Sequence, residues 1–268
     1  MSGLSEFSLI KQYFEKYTVA RDDVLLGIGD DCAIVQNKTD QQIAISVDTL
    51  VEGIHFSPDA DPESLGHKSL AVSLSDLAAM GATPAWFTLA LTLPAVDLRW
   101  LAAFAKGLAN LATQHKIALI GGDTTRGPLS ITVQVHGFVD AKQALRRDGA
   151  KEGDNIYVSG TLGDAGAGLK LKQSQLNNIS GTDTDLMFLQ QRLDKPTPRV
   201  ELGQQLSDIA HSAIDISDGL VADLKHILEK SNLGAQINLE TLPISNELLS
   251  ISGREQAEIL ALYSVDDY

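Results

Sequence analysis

Cysteine is almost absent from this sequence, since Cys32 is the only one in 268 residues. A single thiol excludes an internal disulfide and a zinc site built from cysteines, and it suits a reducing compartment. The chain also lacks any apolar run near the ~20 residues of a transmembrane helix, and its first residues lack the layout of a signal peptide. We expect a cytoplasmic protein that does not bind membranes, with Cys32 as a small buried residue.

Positive charge is also scarce, with 21 Lys and Arg against 35 Asp and Glu and a net charge of -14. Such a chain repels nucleic acids, so no nucleic-acid partner is expected. The motifs of several enzyme classes are missing as well. The sequence has no P-loop, no protein-kinase catalytic loop, no nucleophile-elbow serine, no zincin histidine pair and no EF-hand loop.

The abundant feature is aspartate beside glycine or serine, placed after apolar runs. Adjacent carboxylates repel one another and need a counter-charge, usually a cation. Oxygen ligands of this type select magnesium, calcium or manganese, and magnesium commonly joins a few carboxylates to substrate phosphates. We therefore predict that the chain gathers these residues around divalent cations: Asp30, Asp31, Asp48, Asp76, Asp123, Asp215 and Asp218.

The order of predicted elements is mixed, which favours an α+β or α/β fold with two domains. The charged, glycine-rich stretch 142–154 marks the boundary, so we predict an N-terminal mixed-sheet domain over 1–140 and a C-terminal α/β domain over 150–268. In the second domain, strands are predicted at 155–159, 213–216 and 236–239. The glycines of 160–168 can hold a phosphate or allow close helix packing, and packing is favoured.

Five motifs follow one another along nearly the whole chain. Together they resemble the thiamine-monophosphate kinase family, a member of the aminoimidazole-ribonucleotide-synthetase-like ATP-binding superfamily. They are GIGDD at 27–31, SVDTLVEGIHF at 46–56, SLSDLAAMGA at 73–82, GGDTTRG at 121–127 and DISDGL at 215–220.

The resemblance implies ATP-dependent conversion of thiamine monophosphate to thiamine diphosphate, by direct in-line transfer with several Mg²⁺ ions and no catalytic side chain. It also implies a homodimer that forms through the N-terminal domain. Metal contacts are implied for Asp30, Asp31, Ser46, Val47, Asp48, Asp76, Asp123, Asp215 and Asp218. ATP contacts are implied for Gly122, Arg147 and Ser217, and substrate contacts for His55 and Asp266.

The sequence departs from the family pattern at two places. Many relatives have threonine where this chain has Val47, so any metal contact there must use the backbone carbonyl. The family usually reads Gly-Gly-Glu-Asp-Tyr where this chain reads SVDDY at 264–268, which puts Asp266 in place of a substrate-contacting glutamate. Family members then continue for tens of residues. We therefore expect an incomplete second domain, with ATP and metal binding better preserved than turnover.

Three other functions remain open from the sequence. The chain could be an enzyme of the same superfamily with another phosphate acceptor, although the motif around His55 argues against this. It could bind ATP without forming product. It could also be a metal-dependent phosphatase, which would release phosphate from thiamine monophosphate without ATP.

Overall fold

The computed structural model describes residues 6–29, 32–37, 39–140, 142–176 and 181–265, and the chain forms two compact units. The first unit comprises residues 1–144 together with 200–204, and the second comprises 145–199 and 205–268. Within the described ranges, no helix is long and apolar enough to span a membrane.

The first unit is built from a helix, a small hairpin and a four-stranded sheet covered by two long helices. Its elements in chain order are α1 (Glu6–Tyr13), β1 (Val24–Leu26), β2 (Ile34–Val35), β3 (Gln42–Val51), α2 (Pro62–Ala79), β4 (Thr83–Leu93), α3 (Leu98–Gln114), β5 (Ala118–Arg126) and β6 (Ser130–Val139). The strand order in the sheet is β3-β6-β4-β5. Only β4 and β5 run parallel; β6 pairs antiparallel with both of its neighbours. The sheet is therefore mixed, as the sequence predicted.

Helix α2 lies against one face of the sheet and against α3. Asp61 begins the helix, because its side chain accepts a hydrogen bond from the Ser64 amide at 2.8 Å and a proline occupies the first turn. The two helices meet at glycines. A Cβ added to Gly66 would overlap the carbonyl oxygen of Phe104, and one added to Gly107 would overlap that of Glu63. Glycine at both positions allows the backbones of α2 and α3 to pack in direct contact.

Strand β3 shows the alternation expected of a half-covered strand. Ile45 and Val47 are 59% and 57% exposed, whereas Ser46 and Asp48 are half-buried on the α2 side. The apolar side chains of this edge strand thus lie on the face away from α2, and its polar side chains face the helix. This is the reverse of the usual amphipathic arrangement, in which apolar residues face the covering helix.

The helices α4 (Asp164–Lys172), α5 (Asp183–Asp194), α7 (Leu220–Ser231) and α8 (Asn246–Tyr263) lie in the second unit, joined by irregular segments, and α6 spans Val200–Leu206. Residues 200–204 of α6 belong to the first unit. The predicted strands at 155–159, 213–216 and 236–239 are wrong, since none of these segments forms a ladder. A strand requires a hydrogen-bonded partner, and the described part of this unit supplies none. The two-domain mixed class is nevertheless confirmed.

The glycine-rich start of α4 is a packing feature, as the sequence analysis favoured. A Cβ on Gly166 would overlap the Ser264 side chain, and one on Gly168 would overlap the Leu189 carbonyl oxygen.

Asp164, in the first turn of α4, is fully buried and accepts hydrogen bonds from the hydroxyls of Thr161 and Ser245, both at 2.5 Å. Burial raises the pKa of its carboxyl despite these donors.

Two further expectations need correction, and one strand was not expected. Cys32 is exposed, not buried. Strand β5 extends to Arg126, so Asp123 lies inside a strand and not after one. Strand β4 was not predicted at all. It is central and almost wholly buried, with Trp86 and Phe87 each 1% exposed, so it lacks the alternation that reveals a half-covered strand.

The helix contact leads to a stability prediction. We expect Gly66→Ala to lower the free energy of unfolding by about 1–3 kcal/mol, because the new methyl would force α2 away from α3. Gly234→Ala serves as the control, since a Cβ there meets no atom within 4 Å. Urea unfolding measures both variants. Equal stability of the two would show that the helices tolerate a wider spacing.

Candidate active site

Two serines and two aspartates link β3 to α2. The Ser73 hydroxyl donates to Asp48 Oδ2 at 2.7 Å, and the Ser46 hydroxyl donates to Asp76 Oδ2. Ser46 and Asp48 are two residues apart on β3 and share a strand face, while Ser73 and Asp76 are three apart on α2 and share a helix face. Each element thus contributes one serine and one aspartate. Ser73 is fully buried. We call these four residues the serine–aspartate group.

The helix dipole makes this group electrostatically costly. Asp76 lies in the last turn of α2, where the partial negative charge of the helix end disfavours an anion. The last turn contains no basic residue. The carboxylate of Asp48 lies on the facing strand and adds a second negative charge nearby. The hydroxyl donors orient both carboxylates, and two oriented carboxylates on facing elements are ligands that a divalent cation prefers.

Gly122 and Asp123 lie on β5, at the opposite edge of the sheet from β3. Three strand spacings of about 4.8 Å separate these two edge strands. Gly122 has a φ of 153°, and a Cβ there would overlap the carbonyl oxygen of Leu89 on β4, so only glycine allows this approach. The structure therefore does not bring Asp123 into the serine–aspartate group of the same chain.

The turn after β3 orients His55. Its Nδ1 accepts a hydrogen bond from the Val51 amide at 3.0 Å, while its own amide donates to the Val51 carbonyl oxygen at 2.9 Å. Gly53, with a φ of 78°, allows the tight turn. Because Nδ1 accepts, the neutral imidazole carries its proton on Nε2. The exposed ring thus presents an N–H donor to solvent.

Val47 occupies the position between Ser46 and Asp48, and its side chain lies on the other face of β3. The Val47 side chain therefore faces away from the serine–aspartate group, and a metal contact through its backbone carbonyl stays a prediction. The exposed side chain of Val47 can thus belong to an apolar surface whether or not its carbonyl oxygen contacts a metal ion.

The remaining described residues of the predicted site lie in the second unit. Ser217 is half-buried and Asp218 is exposed, in the turn that leads into α7. Asp215 precedes them in a segment without regular structure and is half-buried. Arg147 is exposed, and its carbonyl oxygen accepts a hydrogen bond from the Ser231 hydroxyl at 2.9 Å.

The side chains of the first unit fit Mg²⁺ in type but do not complete a site. The serine–aspartate group offers only oxygen donors, the ligands that Mg²⁺ prefers. Across the ranges that the structure describes, no three His, Cys, Asp or Glu side chains are close enough to hold a metal ion. Asp30, Asp31 and Asp266, three of the predicted contacts, lie outside those ranges.

Two residues of the arrangement were missing from the predicted site. Ser73 lies three residues before Asp76, a spacing that places both on one helix face, and this signal was readable. Asp223 accepts hydrogen bonds from the backbone amides of Ser217 and Asp218. Its role could not be read from the sequence because the contact is to backbone atoms.

Comparison with known proteins identifies the family. The model of the AIR synthase related protein N-terminal domain matches residues 29–139, and that of the C-terminal domain matches 151–265. The thiamine-monophosphate kinase of Escherichia coli strain K12 is 54% identical over 98% of this chain and 80% of its own length. That of Haemophilus influenzae is 51% identical over 99% of this chain and 80% of its own length.

This chain belongs to the thiamine-monophosphate kinase family. Solved structures agree with the assignment. The thiamine-monophosphate kinase from Stenotrophomonas maltophilia matches with a TM-score of 0.90 and 51% identity, over 99% of this chain and 84% of the other. A structure described as AaThiL complexed with AMPPCP and TMP matches with a TM-score of 0.79 and 32% identity, over 100% of this chain and 84% of the other.

The family resemblance predicted from the five motifs is thus confirmed. The chain spans about four fifths of the length of these relatives. The structure describes two groups of candidate site residues in this chain. One is the serine–aspartate group of the first unit, and the other is the turn at 215–219 of the second.

The carboxylates of the serine–aspartate group lead to a prediction about metal ions. We expect millimolar Mg²⁺ to raise the melting temperature, because a cation relieves the repulsion between Asp48 and Asp76 and binds only the folded chain. The increase should shrink in Asp48→Asn and in Asp76→Asn.

Glu255→Gln provides the control, because Glu255 is exposed on α8 and its replacement removes the same charge. Differential scanning calorimetry with and without Mg²⁺ measures each variant. An increase of the same size in all four proteins would rule out Mg²⁺ binding at the serine–aspartate group.

Proposed function

We propose that this chain transfers the γ-phosphoryl group of ATP to thiamine monophosphate and so forms thiamine diphosphate. The 54% identity to a thiamine-monophosphate kinase over nearly the whole chain is the observation that carries the proposal. The relative described as complexed with AMPPCP, an ATP analogue, and TMP supports the pair of substrates.

The proposed reaction is a single in-line displacement. A phosphate oxygen of thiamine monophosphate forms the new bond to the γ-phosphorus of ATP, and the bond from that phosphorus to the β–γ bridging oxygen breaks to release ADP. The acceptor oxygen is already anionic at neutral pH, so no general base is required. The task of the protein is to bind two polyanions and to orient them.

The acidic residues of both units are proposed to take part through Mg²⁺. Bound Mg²⁺ would supply the positive charge that offsets the phosphates. In the first unit, Ser46, Asp48 and Asp76 would hold it, with Ser73 fixing the orientation of Asp48. Asp123 on β5 is proposed as a further Mg²⁺ contact, and Asp215 and Asp218 are proposed as Mg²⁺ contacts of the second unit. Asp30 and Asp31 complete the proposed set.

His55 is proposed to bind the phosphate of thiamine monophosphate. Its Nε2–H donor suits a phosphate oxygen, and the Val51 contact holds the ring in place. Gly122, Arg147 and Ser217 are proposed as ATP contacts, and Asp266 as a contact to the thiamine substrate. The proposed compartment is the cytoplasm, in keeping with a chain that has a single cysteine.

The direct test measures thiamine diphosphate formed from ATP, Mg²⁺ and thiamine monophosphate. We expect product from the native chain and a loss of at least about 100-fold in Asp48→Asn, since this carboxylate binds metal in the proposed mechanism. Glu255→Gln should remain active. ATP binding without product would instead indicate a non-catalytic relative, and phosphate release without ATP would indicate a phosphatase.

The assay also tests His55. Asparagine at this position can still accept from the Val51 amide but has no donor where Nε2 lies. We expect His55→Asn to raise the KM for thiamine monophosphate about 10- to 100-fold, the value of a hydrogen bond to a charged group, with the KM for ATP unchanged. His226→Asn, an exposed histidine on α7, is the matched control. An equal rise for both substrates would contradict the assignment.

We further propose a homodimer that buries the apolar face of β3. Ile43, Ile45 and Val47 are 38%, 59% and 57% exposed in one row along an edge strand, a surface that favours association. Light scattering should give twice the chain mass for the native protein and for Met187→Lys, an exposed α5 control. Ile45→Lys should give a monomer, and a dimeric Ile45→Lys would place the interface elsewhere.

A further inference from the structure

The carboxylate of Asp223 holds the turn that precedes α7. One oxygen, Oδ2, accepts hydrogen bonds from the amide of Ser217 at 3.0 Å and from the amide of Asp218 at 2.9 Å. Asp223 is only 4% exposed. A buried carboxylate that accepts two backbone N–H groups is a strong and directional contact, because charge-assisted hydrogen bonds gain strength away from water.

The turn is tied to α7 through Asp223. Helix caps commonly come from the side chain of the residue before the first turn, but that residue is Gly219, which has none. Gly219 also has a φ of 106°, and a Cβ there would come within 2.9 Å of the Ser264 carbonyl oxygen. Asp223 does not cap the first-turn amides; from inside the helix, it holds the two residues that precede Gly219.

The two residues whose amides Asp223 binds differ from it in exposure. Asp218 is exposed and Ser217 is half-buried, whereas Asp223 is buried. The backbone of the turn is thus held from the protein side, and the polar side chains at 217 and 218 are left on the accessible side. Such an arrangement is typical of second-layer residues that orient the groups in contact with a metal or ligand.

We infer that Asp223 is a positioning residue for nucleotide binding, which acts by fixing the turn that presents Ser217 and Asp218. The inference rests on the proposed function, in which these two residues contact ATP and Mg²⁺. It assigns Asp223 no contact with either ligand. The alternative is a residue that only stabilises the start of α7, and the two roles differ in what its removal does to nucleotide affinity.

The test compares Asp223→Ala with Asp223→Asn and with Asp164→Asn. Asparagine keeps an oxygen acceptor at 223. Asp164 is the matched control, because it is also a buried acid in the first turn of a helix of the same unit, but the Thr161 and Ser245 hydroxyls are its donors. For each protein we would measure the Kd of ATP in Mg²⁺ by calorimetry and the hydrogen exchange of a peptide covering 213–222.

We expect Asp223→Ala to weaken ATP binding about 10- to 100-fold, as losses of such orienting contacts do, and to speed exchange in the 213–222 peptide. Asp223→Asn should stay within about threefold of the native Kd, because one acceptor is kept. Asp164→Asn should keep the native Kd even if it melts earlier. In Asp223→Ala/Ser217→Ala the losses should not add, since both act through one turn.

Faster exchange with an unchanged Kd in Asp223→Ala would overturn the inference and leave a purely structural residue. Native exchange in that variant would also overturn it, since the turn would not depend on Asp223. A fall in affinity of equal size in Asp164→Asn would also overturn it, since the loss would then follow from disturbing any buried acid of the unit. If the native chain binds no ATP, the proposed function fails and the inference fails with it. The exchange data would then show only whether Asp223 stabilises the turn.

Discussion

Two hydroxyl-to-carboxylate hydrogen bonds between β3 and α2 hold together the part of the first unit on which its proposed chemistry depends. The helix and the strand each contribute one donor and one acceptor, so neither element is satisfied alone. The arrangement allows two acids to remain close at the negative end of a helix dipole. It also presents oxygen ligands from both elements, which is what a magnesium site requires.

The second unit solves a similar problem with a different device. Its acidic residues lie in a turn before α7, and a buried carboxylate within the helix fixes that turn through backbone amides. In the first unit, side-chain hydroxyls orient the carboxylates. In the second, a carboxylate orients the backbone. In both units the orienting hydrogen bond is made by a buried residue that has no proposed contact with a ligand. This residue is Ser73 in the first unit and Asp223 in the second.

The sequence predicted the family and the acidic residues because short motifs carry that information locally. It could not predict the pairing of Ser73 with Asp48, because 25 residues and a loop separate them. It missed β4, whose burial on both faces removes the alternation that marks a strand. It also overpredicted strands in the second unit, where apolar segments such as 213–216 pair with no strand among the described residues. Local pattern thus indicates the residue types of a site better than the contacts among them.

The alternation of polar and apolar side chains along β3 makes the strand sensitive to the insertion or deletion of a single residue. One face of this strand carries Ser46 and Asp48 toward α2, and the other carries Ile45 and Val47 outward. Because side chains alternate with a period of two, a slip of one residue against β6 would exchange the two faces. Isoleucine and valine would then meet the helix, and the acids would face outward. The proposed metal site and the proposed dimer surface would be lost together, although every side chain would still be present.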